Sequence, residues 1–335
     1  MLEKPDLDDQ QLIVCLQQAY ALDIMQISFL ALGADFNAAV YRARATDDSE
    51  YFVKLRSGPF NETSLTLPTF LHAHGAGYII APLQTQTGAP WTKLEDVVVI
   101  VYPFVDGQNA YHHDLSRRQW GEFGTALKQL HTAHVPMSIM YALPQERYDL
   151  KWSSMLKDIM HDLDYIQLPN QLAVDLADFL RTKAPQILAM TERIVALAQA
   201  LQLDAPDFVV CHSDIHAGNL LINQRGHVYI VDWDNPILAP KERDLMFIGG
   251  GQGFIGCTAE EEQQYFYRGY GHTNIHSTAL AYYRYVRIIE DLVLYCEQIF
   301  LARDSHEERQ QSFQYVKANF QPGGTLERAY AADSG

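Results

Sequence analysis

Cysteine is scarce in this chain of 335 residues: Cys15, Cys211, Cys257 and Cys296 are widely spread and form no CxxC pair. That pattern excludes a disulfide scaffold and a cysteine-rich zinc site, and makes a reducing cytoplasm the expected setting. Basic residues are also few. The 25 Lys and Arg stand against 41 Asp and Glu, a formal charge of −16. Phosphate backbones and anionic lipid both need basic patches, so neither nucleic acid nor a membrane surface is an expected partner. The balance favours cationic partners, although solubility alone is served by it too. Long apolar runs are missing as well. The longest, Val97 to Val105, is broken by Tyr102 and Pro103 and is about half the length of a membrane span. The acidic start, MLEKPDLDDQ, lacks the basic-then-apolar pattern of a secretory signal. There is no internal repeat, no low-complexity segment and no Walker A sequence.

What remains is ordinary globular material, 48% apolar and 20% charged. At roughly 150 residues per domain, the length suggests two units. The first third alternates in β fashion over Ile24–Ala31, Ala38–Ala45 and Tyr51–Arg56, with a buried strand over Val97–Val101. A helix is expected from Asn61 to His74, starting late or kinked because of Pro68. After Ser116, whose spacing to Gln119 is that of a capping box, helices dominate. They are expected to His131, then near Trp152–Ile166, Gln171–Leu201, Ala259–Gly269, Ser277–Ala302 and His306–Phe320. A short β segment interrupts at Phe208–Cys211, Leu220–Asn223 and Val228–Asp232. The expected architecture is α+β with two lobes: a small β-rich lobe over residues 1–105 and a larger helical lobe over 106–335. Pro103 to Gly107 is the natural hinge, and a cleft between lobes is a common ligand site.

The chemistry concentrates between Val209 and Asp232. His212-Ser213-Asp214 follows an apolar strand, Asn219 comes five positions after Asp214, and Asp232 thirteen after Asn219. Arg225-Gly226 is a turn, and folding the hairpin back brings Asp214, Asn219 and Asp232 to one end. Two carboxylates and an amide oxygen there are hard donors of the kind that hold Mg²⁺ together with phosphates. The spacing H-x-D-x-x-x-x-N followed by an Asp is that of a kinase catalytic loop and its metal-binding carboxylate. The bland alternative, polar loop groups capping strands, fits each residue singly but not the set. A zinc reading of His212 and His216 needs them on one helical face, which Gly218 and the adjacent strand disfavour.

Lys54 lies mid-strand in a sequence resembling V-A-I-K. A strand lysine needs a paired ammonium or a solvent edge, and Glu62 is the expected carboxylate partner. Gly33-Ala34-Asp35-Phe36-Asn37 sits where a phosphate-covering loop belongs, with Gly33, Asp35 and Asn37 as candidates, though it has one glycine rather than G-x-G-x-x-G. Gly249 to Gly253 reads as a flexible connection, since no lysine follows it.

Together these residues resemble the aminoglycoside phosphotransferase family of small-molecule kinases, which share the protein-kinase-like fold. The family loop H-G-D-L-H-x-G-N appears as His212 to Asn219, with Ser213 in place of the usual glycine. Within the family the resemblance is to the spectinomycin 9-O-phosphotransferases, and it rests further on the runs Asp232–Gly251 and Tyr282–Asp291. It implies an ATP- and Mg²⁺-dependent transfer of the γ-phosphate to a hydroxyl of an aminoglycoside or aminocyclitol. Asp214 would orient and deprotonate that hydroxyl, and Asn219 and Asp232 would hold Mg²⁺. Lys54, paired with Glu62, would hold the α- and β-phosphates, and backbone groups from Tyr102 to Phe104 would receive adenine. Asp234, Asp244, Glu290 and Asp291 are candidates for the amines of a cationic acceptor, with an Arg287–Asp291 surface pair as the bland alternative. Trp233 and Tyr282 are more simply core. Alternatives are a choline, homoserine or fructosamine kinase, or a silent nucleotide-binding regulator; a protein kinase is disfavoured because no A-P-E segment follows Asp232.

Overall fold

The computed structural model describes residues 4–31, 37–251, 253–303 and 305–334. Helix α1 (Asp9–Tyr20) is capped by the Asp8 carboxylate, which accepts from the Gln10 N–H. It buries Leu12, Cys15, Leu16 and Tyr20, one face at helical spacing. Strands β1 (Ile24–Leu30), β2 (Ala38–Ala45) and β3 (Glu50–Arg56) follow, then α2 (Thr63–Ala73), β4 (Thr92–Leu94) and β5 (Val97–Pro103). They form one antiparallel sheet in the order β1-β2-β3-β5-β4. Its register sets Lys54 between Val40 and Ile100, so a charged side chain projects from a central strand. One sheet face packs on α1 through Tyr41, Val53, Leu55, Val99 and Val101; on the other, Val98 and Ile100 pack with Leu65 of α2. Helix α2 does start late, at Thr63, with the Asn61 side chain accepting from the Thr63 N–H.

Strand β6 (Gly107–Asn109) leads into α3 (Arg117–His131), whose capping box between Ser116 and Gln119 forms as the sequence predicts. Next come α4 (Met137–Ala142), α5 (Lys151–Asp162) and α6 (Gln171–Leu203). At 33 residues α6 is about 50 Å long, and it buries a stripe from Leu172 through Ile187 to Leu201. Strands β7 (Phe208–Cys211), β8 (Leu220–Asn223), β9 (Val228–Ile230) and β10 (Ile237–Pro240) follow, with a 3₁₀ turn at Ala217–Asn219 before β8. Strand β7 pairs with β10, and β6 with β8 and β9. Helices α7 (Glu242–Leu245), α8 (Ala259–Tyr270), α9 (Ser277–Phe300), α10 (His306–Ala318) and α11 (Thr325–Asp333) close the chain.

The large core gathers α3, α5, α6, α8 and α9 around Trp120, Phe123, Phe247, Phe266 and Tyr283, all fully buried. An aromatic side chain buries about 150–250 Å², worth several kcal/mol at roughly 25 cal/mol per Å². Leu67, Leu71, Tyr78 and Ile79 join this core from the first hundred residues. The Tyr78 carbonyl accepts from the Ile230 N–H at 2.8 Å. The stretch after α2 therefore ties the sheet to the helical part. Among the described residues, no helix is long and apolar enough to cross a membrane.

Candidate active site

The loop after β7 is built on a buried carboxylate. Asp244, with no exposed surface, accepts from the His212 N–H (2.9 Å) and the Ser213 N–H (2.7 Å). It also pairs with His131 Nε2 at 3.0 Å, and His131 Nδ1 lies 2.7 Å from the Tyr270 hydroxyl. Burial opposes ionisation of Asp244, but the His131 hydrogen bond and the surrounding charges and N–H groups hold its pKa below the usual value. Asp244 thus faces the underside of the loop rather than the cleft, which removes it from the acceptor candidates. Ser213 has φ of +75° and Asp232 +62°. Both sit in the left-handed region that non-glycine residues avoid, and such strain collects at functional sites. The backbone at Ser213 accounts physically for a preference for glycine there. The Ser213 hydroxyl compensates by donating to the Asn235 carbonyl at 2.6 Å.

His212 is buried, with Nε2 on the Val231 carbonyl (3.0 Å), Nδ1 accepting from the Asp214 N–H (3.3 Å) and its ring edge-to-face with Trp233. His216 Nδ1 accepts from the Gly218 N–H and lies 2.9 Å from the Tyr111 hydroxyl. Both histidines are thus taken up in holding the loop, and the zinc reading loses its donors. Asn219 donates through Nδ2 to the Asp214 carbonyl at 2.7 Å, which leaves its Oδ1 as the free end of the amide. The Val231 N–H donates to the Asn219 carbonyl at 3.0 Å. The hairpin thereby brings the loop and the segment before Asp232 to the same end, as the spacing predicts.

Asp214 is held by a residue from another element. Arg287, in mid-α9, places Nη1 2.7 Å from Asp214 Oδ1 and Nε 3.1 Å from Asp291 Oδ1. His216 Nε2 stands 3.6 Å from the other Asp214 oxygen. Burial acts to raise the Asp214 pKa, but the His216 contact and the Arg287 charge outweigh it and hold it well below the usual carboxylate range. Glu290 and Asp291 are pushed the other way, because burial exceeds what Arg287 offsets.

On the sheet side, Lys54 Nζ lies 2.8 Å from Asp234 and 3.1 Å from Asp232. Its side chain is 13% exposed. Burial alone would depress its pKa; the two carboxylates raise it. Arg56 also contacts Asp234. Asp234 therefore reaches back to the sheet beside Lys54 instead of toward an acceptor. The expected Lys54–Glu62 pair is absent: Glu62 is exposed at the start of α2, and Lys54 has the two aspartates instead. The Phe104 N–H is already donated to the Glu50 carbonyl at 3.0 Å, so it is not a free donor for a base. Tyr102 pairs across from Phe52 and is half-buried; burial first, and then the charges of Asp234 and Asp232, raise its pKa. Asn37 accepts through its carbonyl from the Ser57 N–H and hydroxyl. Gly33 and Asp35 lie outside the described residues.

The donors suit a magnesium nucleotide. Asp232 is about half exposed, with one oxygen on Lys54, and Asn219 offers its amide oxygen. Two hard oxygen donors, one of them on a half-exposed carboxylate beside a lysine of the sheet, match a cation that takes few protein ligands and several phosphate oxygens. A second cluster, His131, Cys211 and Asp244, brings potential ligand atoms together. His131 and Asp244 pair with each other, His131 also meets Tyr270, the Cys211 thiol lies on the Ala239 and Pro240 carbonyls, and burial pushes that thiol far from ionisation.

Residues 28–265 match the model of the phosphotransferase enzyme family. The chain belongs to that family. Among solved structures it is similar to spectinomycin phosphotransferase APH(9)-Ia in complex with ADP and spectinomycin, at 36% identity and a TM-score of 0.89, covering 98% of this chain and 99% of that one. Amicoumacin kinase hAmiN in complex with AMP-PNP and Ca²⁺ has a TM-score of 0.63 at 18% identity, covering 95% of each chain. Choline kinase LicA from Streptococcus pneumoniae has a TM-score of 0.56 at 14% identity, covering 92% and 97%. The last two show the fold alone: the two-lobed, kinase-like α+β fold. No curated protein sequence matches.

The sequence reading of this phosphotransferase missed Arg287 as a partner of Asp214, and Tyr111. The Arg287–Asp291 spacing was visible, but a contact to a residue 73 positions away was not. Tyr111 stacks on His216 at 5.6 Å, and Cβ atoms at Gly218 and Gly253 would strike its ring, at 2.5 and 2.0 Å. Trp233 and Tyr282 are core, as expected: Trp233 donates to the Ile230 carbonyl and Tyr282 to that of Asp149.

Proposed function

We propose that this phosphotransferase moves the γ-phosphoryl group of ATP to a hydroxyl of an aminoglycoside or aminocyclitol, spectinomycin in the first instance. The observation that carries this reading is full-length similarity to a spectinomycin phosphotransferase, at 36% identity. Residues 1–105 serve as the nucleotide lobe and 106–335 as the catalytic and acceptor lobe. Asp214 receives the acceptor hydroxyl by hydrogen bond and takes up its proton as the bond to phosphorus forms. Lys54 exchanges Asp232 and Asp234 for the α- and β-phosphates, and Asn37, just before β2, borders them. The backbone near Tyr102 and Phe104 borders adenine, with Phe104 as wall rather than donor. Asn219 and Asp232 hold Mg²⁺, which when bound offsets phosphate charge. Glu290 and Asp291 are the acceptor carboxylates. Both are raised in pKa by burial, so a cation brought beside them relieves an unfavourable pair of anions.

The test is phosphate transfer from labelled ATP across spectinomycin, other aminoglycosides, choline and homoserine. Spectinomycin should be the preferred acceptor; label on choline or homoserine with spectinomycin inert would overturn the reading. Asp214→Ala should lower kcat about 10²–10³-fold and leave the ADP-induced rise in melting temperature in place.

A further inference from the structure

We propose that Arg287 is a positioning residue for phosphoryl transfer, clamping one oxygen of Asp214 so that the other faces the acceptor hydroxyl. The inference rests on the reading of Asp214 given above. Arg287 sits mid-helix in α9 with its side chain 19% exposed, so it is not a solvated surface charge. Its guanidinium lies over the Phe247 ring, with the centroid 5.7 Å away, and that ring is fully buried. One edge meets Asp214 Oδ1 at 2.7 Å, and Nε meets Asp291 Oδ1 at 3.1 Å. The planar guanidinium, backed by a buried ring, donates one hydrogen bond to Asp214 and stands in an ion pair with Asp291, which limits the freedom of Asp214 to rotate. Asp214 Oδ2 remains, 3.5 Å from Asn219 Nδ2 and 3.6 Å from His216 Nε2. A lysine carries the charge but not the fork, and reaches the two carboxylates as a single point.

Misplacing a reacting group by about 1 Å costs on the order of 10²-fold in rate. Arg287→Lys should therefore lower kcat by about 10–10²-fold. The KM for ATP and the ADP-induced melting shift should stay within about twofold of wild type, since positioning acts on the transition state. The deciding measurement is a double-mutant cycle with Asp214→Asn. If Arg287 acts through Asp214, Arg287→Lys costs nothing further once Asp214 is replaced. Wild-type kcat in Arg287→Lys, or a full further loss in the Asp214→Asn background, overturns the proposal while leaving the function intact. A fall in acceptor affinity with kcat unchanged also overturns it, making Arg287 a binding residue. Wild-type turnover in Asp214→Asn alone removes the catalytic reading and this inference together.

Discussion

At the scale of single residues, the site depends on buried groups that never meet a ligand. Asp244 holds two loop N–H groups and His131 at once. Asp244→Ala leaves a buried imidazole and two donors without their acceptor, and breaking such a pair costs about 3–5 kcal/mol. The expected readout is a lower urea midpoint at unchanged m value, with Asp244→Asn losing less. Glu262 gives a pH-dependent case. It is buried, accepts from the Gly249 N–H at 2.8 Å, and burial raises its pKa to about 7 from 4.5. A carboxyl raised on folding is neutral in both states below about pH 4.5. It then loses stability as pH climbs toward 7, because the unfolded chain ionises first. The loss is on the order of 3 kcal/mol above that window. Glu262→Gln should match wild-type stability at pH 4.5 and exceed it at pH 8; equal melting temperatures at both would refute the burial account. The candidate residues of the site were legible in the sequence, because Asp214, Asn219 and Asp232 lie in one short stretch whose spacing is set by a hairpin. Their partners were not. Lys54 took Asp232 and Asp234 over Glu62, and Asp244 turned under the loop, because side-chain pairing across a fold depends on register and helix rotation rather than on spacing.

At the scale of elements, close approach is enforced by glycine. A Cβ on Gly124 of α3 would lie 2.1 Å from the Phe266 carbonyl oxygen of α8, and one on Gly269 would lie 1.8 Å from that of Gly121. No side-chain rotation relieves a clash with backbone, so Gly269→Ala must spread α3 from α8. Overpacking of this kind costs about 1–3 kcal/mol or more. Thermal unfolding is the check, and an unchanged midpoint would mean that the helices slide apart without loss. Where the glycine run after α7 begins, the backbone is held: Glu262 holds the Gly249 N–H, Arg328 its carbonyl and Arg284 that of Ile248. Elements with strong local signals were legible, including the capping box of α3, the β8–β9 hairpin and the long stripe of α6. Those without were not. Strand β6 is Gly-Gln-Asn with no apolar residue, a strand only by virtue of pairing with β8. Helix α1 did carry the signal, in the helical spacing of Leu12, Cys15, Leu16 and Tyr20, but was not among the expected helices.

At the scale of the whole molecule, charge is distributed to different ends. Lys54 and Arg56 on the sheet meet Asp232 and Asp234 from the helical part, so ion pairs span the cleft. Asp214, Glu290 and Asp291 gather on the other side with Arg287 among them. Around both lies a chain of net charge −16. Such a field draws a cation toward the cleft and repels ATP until Lys54 and Mg²⁺ receive it. Salt screens the long-range part, over about 8 Å at 0.15 M, and leaves buried pairs largely untouched. The two substrates should therefore respond in opposite senses. Raising salt from about 0.05 to 0.5 M should lower kcat/KM for a cationic acceptor several-fold, as steering is lost. Over the same range kcat/KM for ATP should hold or rise, and kcat should change little because Asp214 and Arg287 form a close, half-buried pair. Parallel falls for both substrates would point to damage at the cleft ion pairs instead. A flat acceptor response would show that binding is governed by contacts inside the pocket, with the excess acid serving solubility.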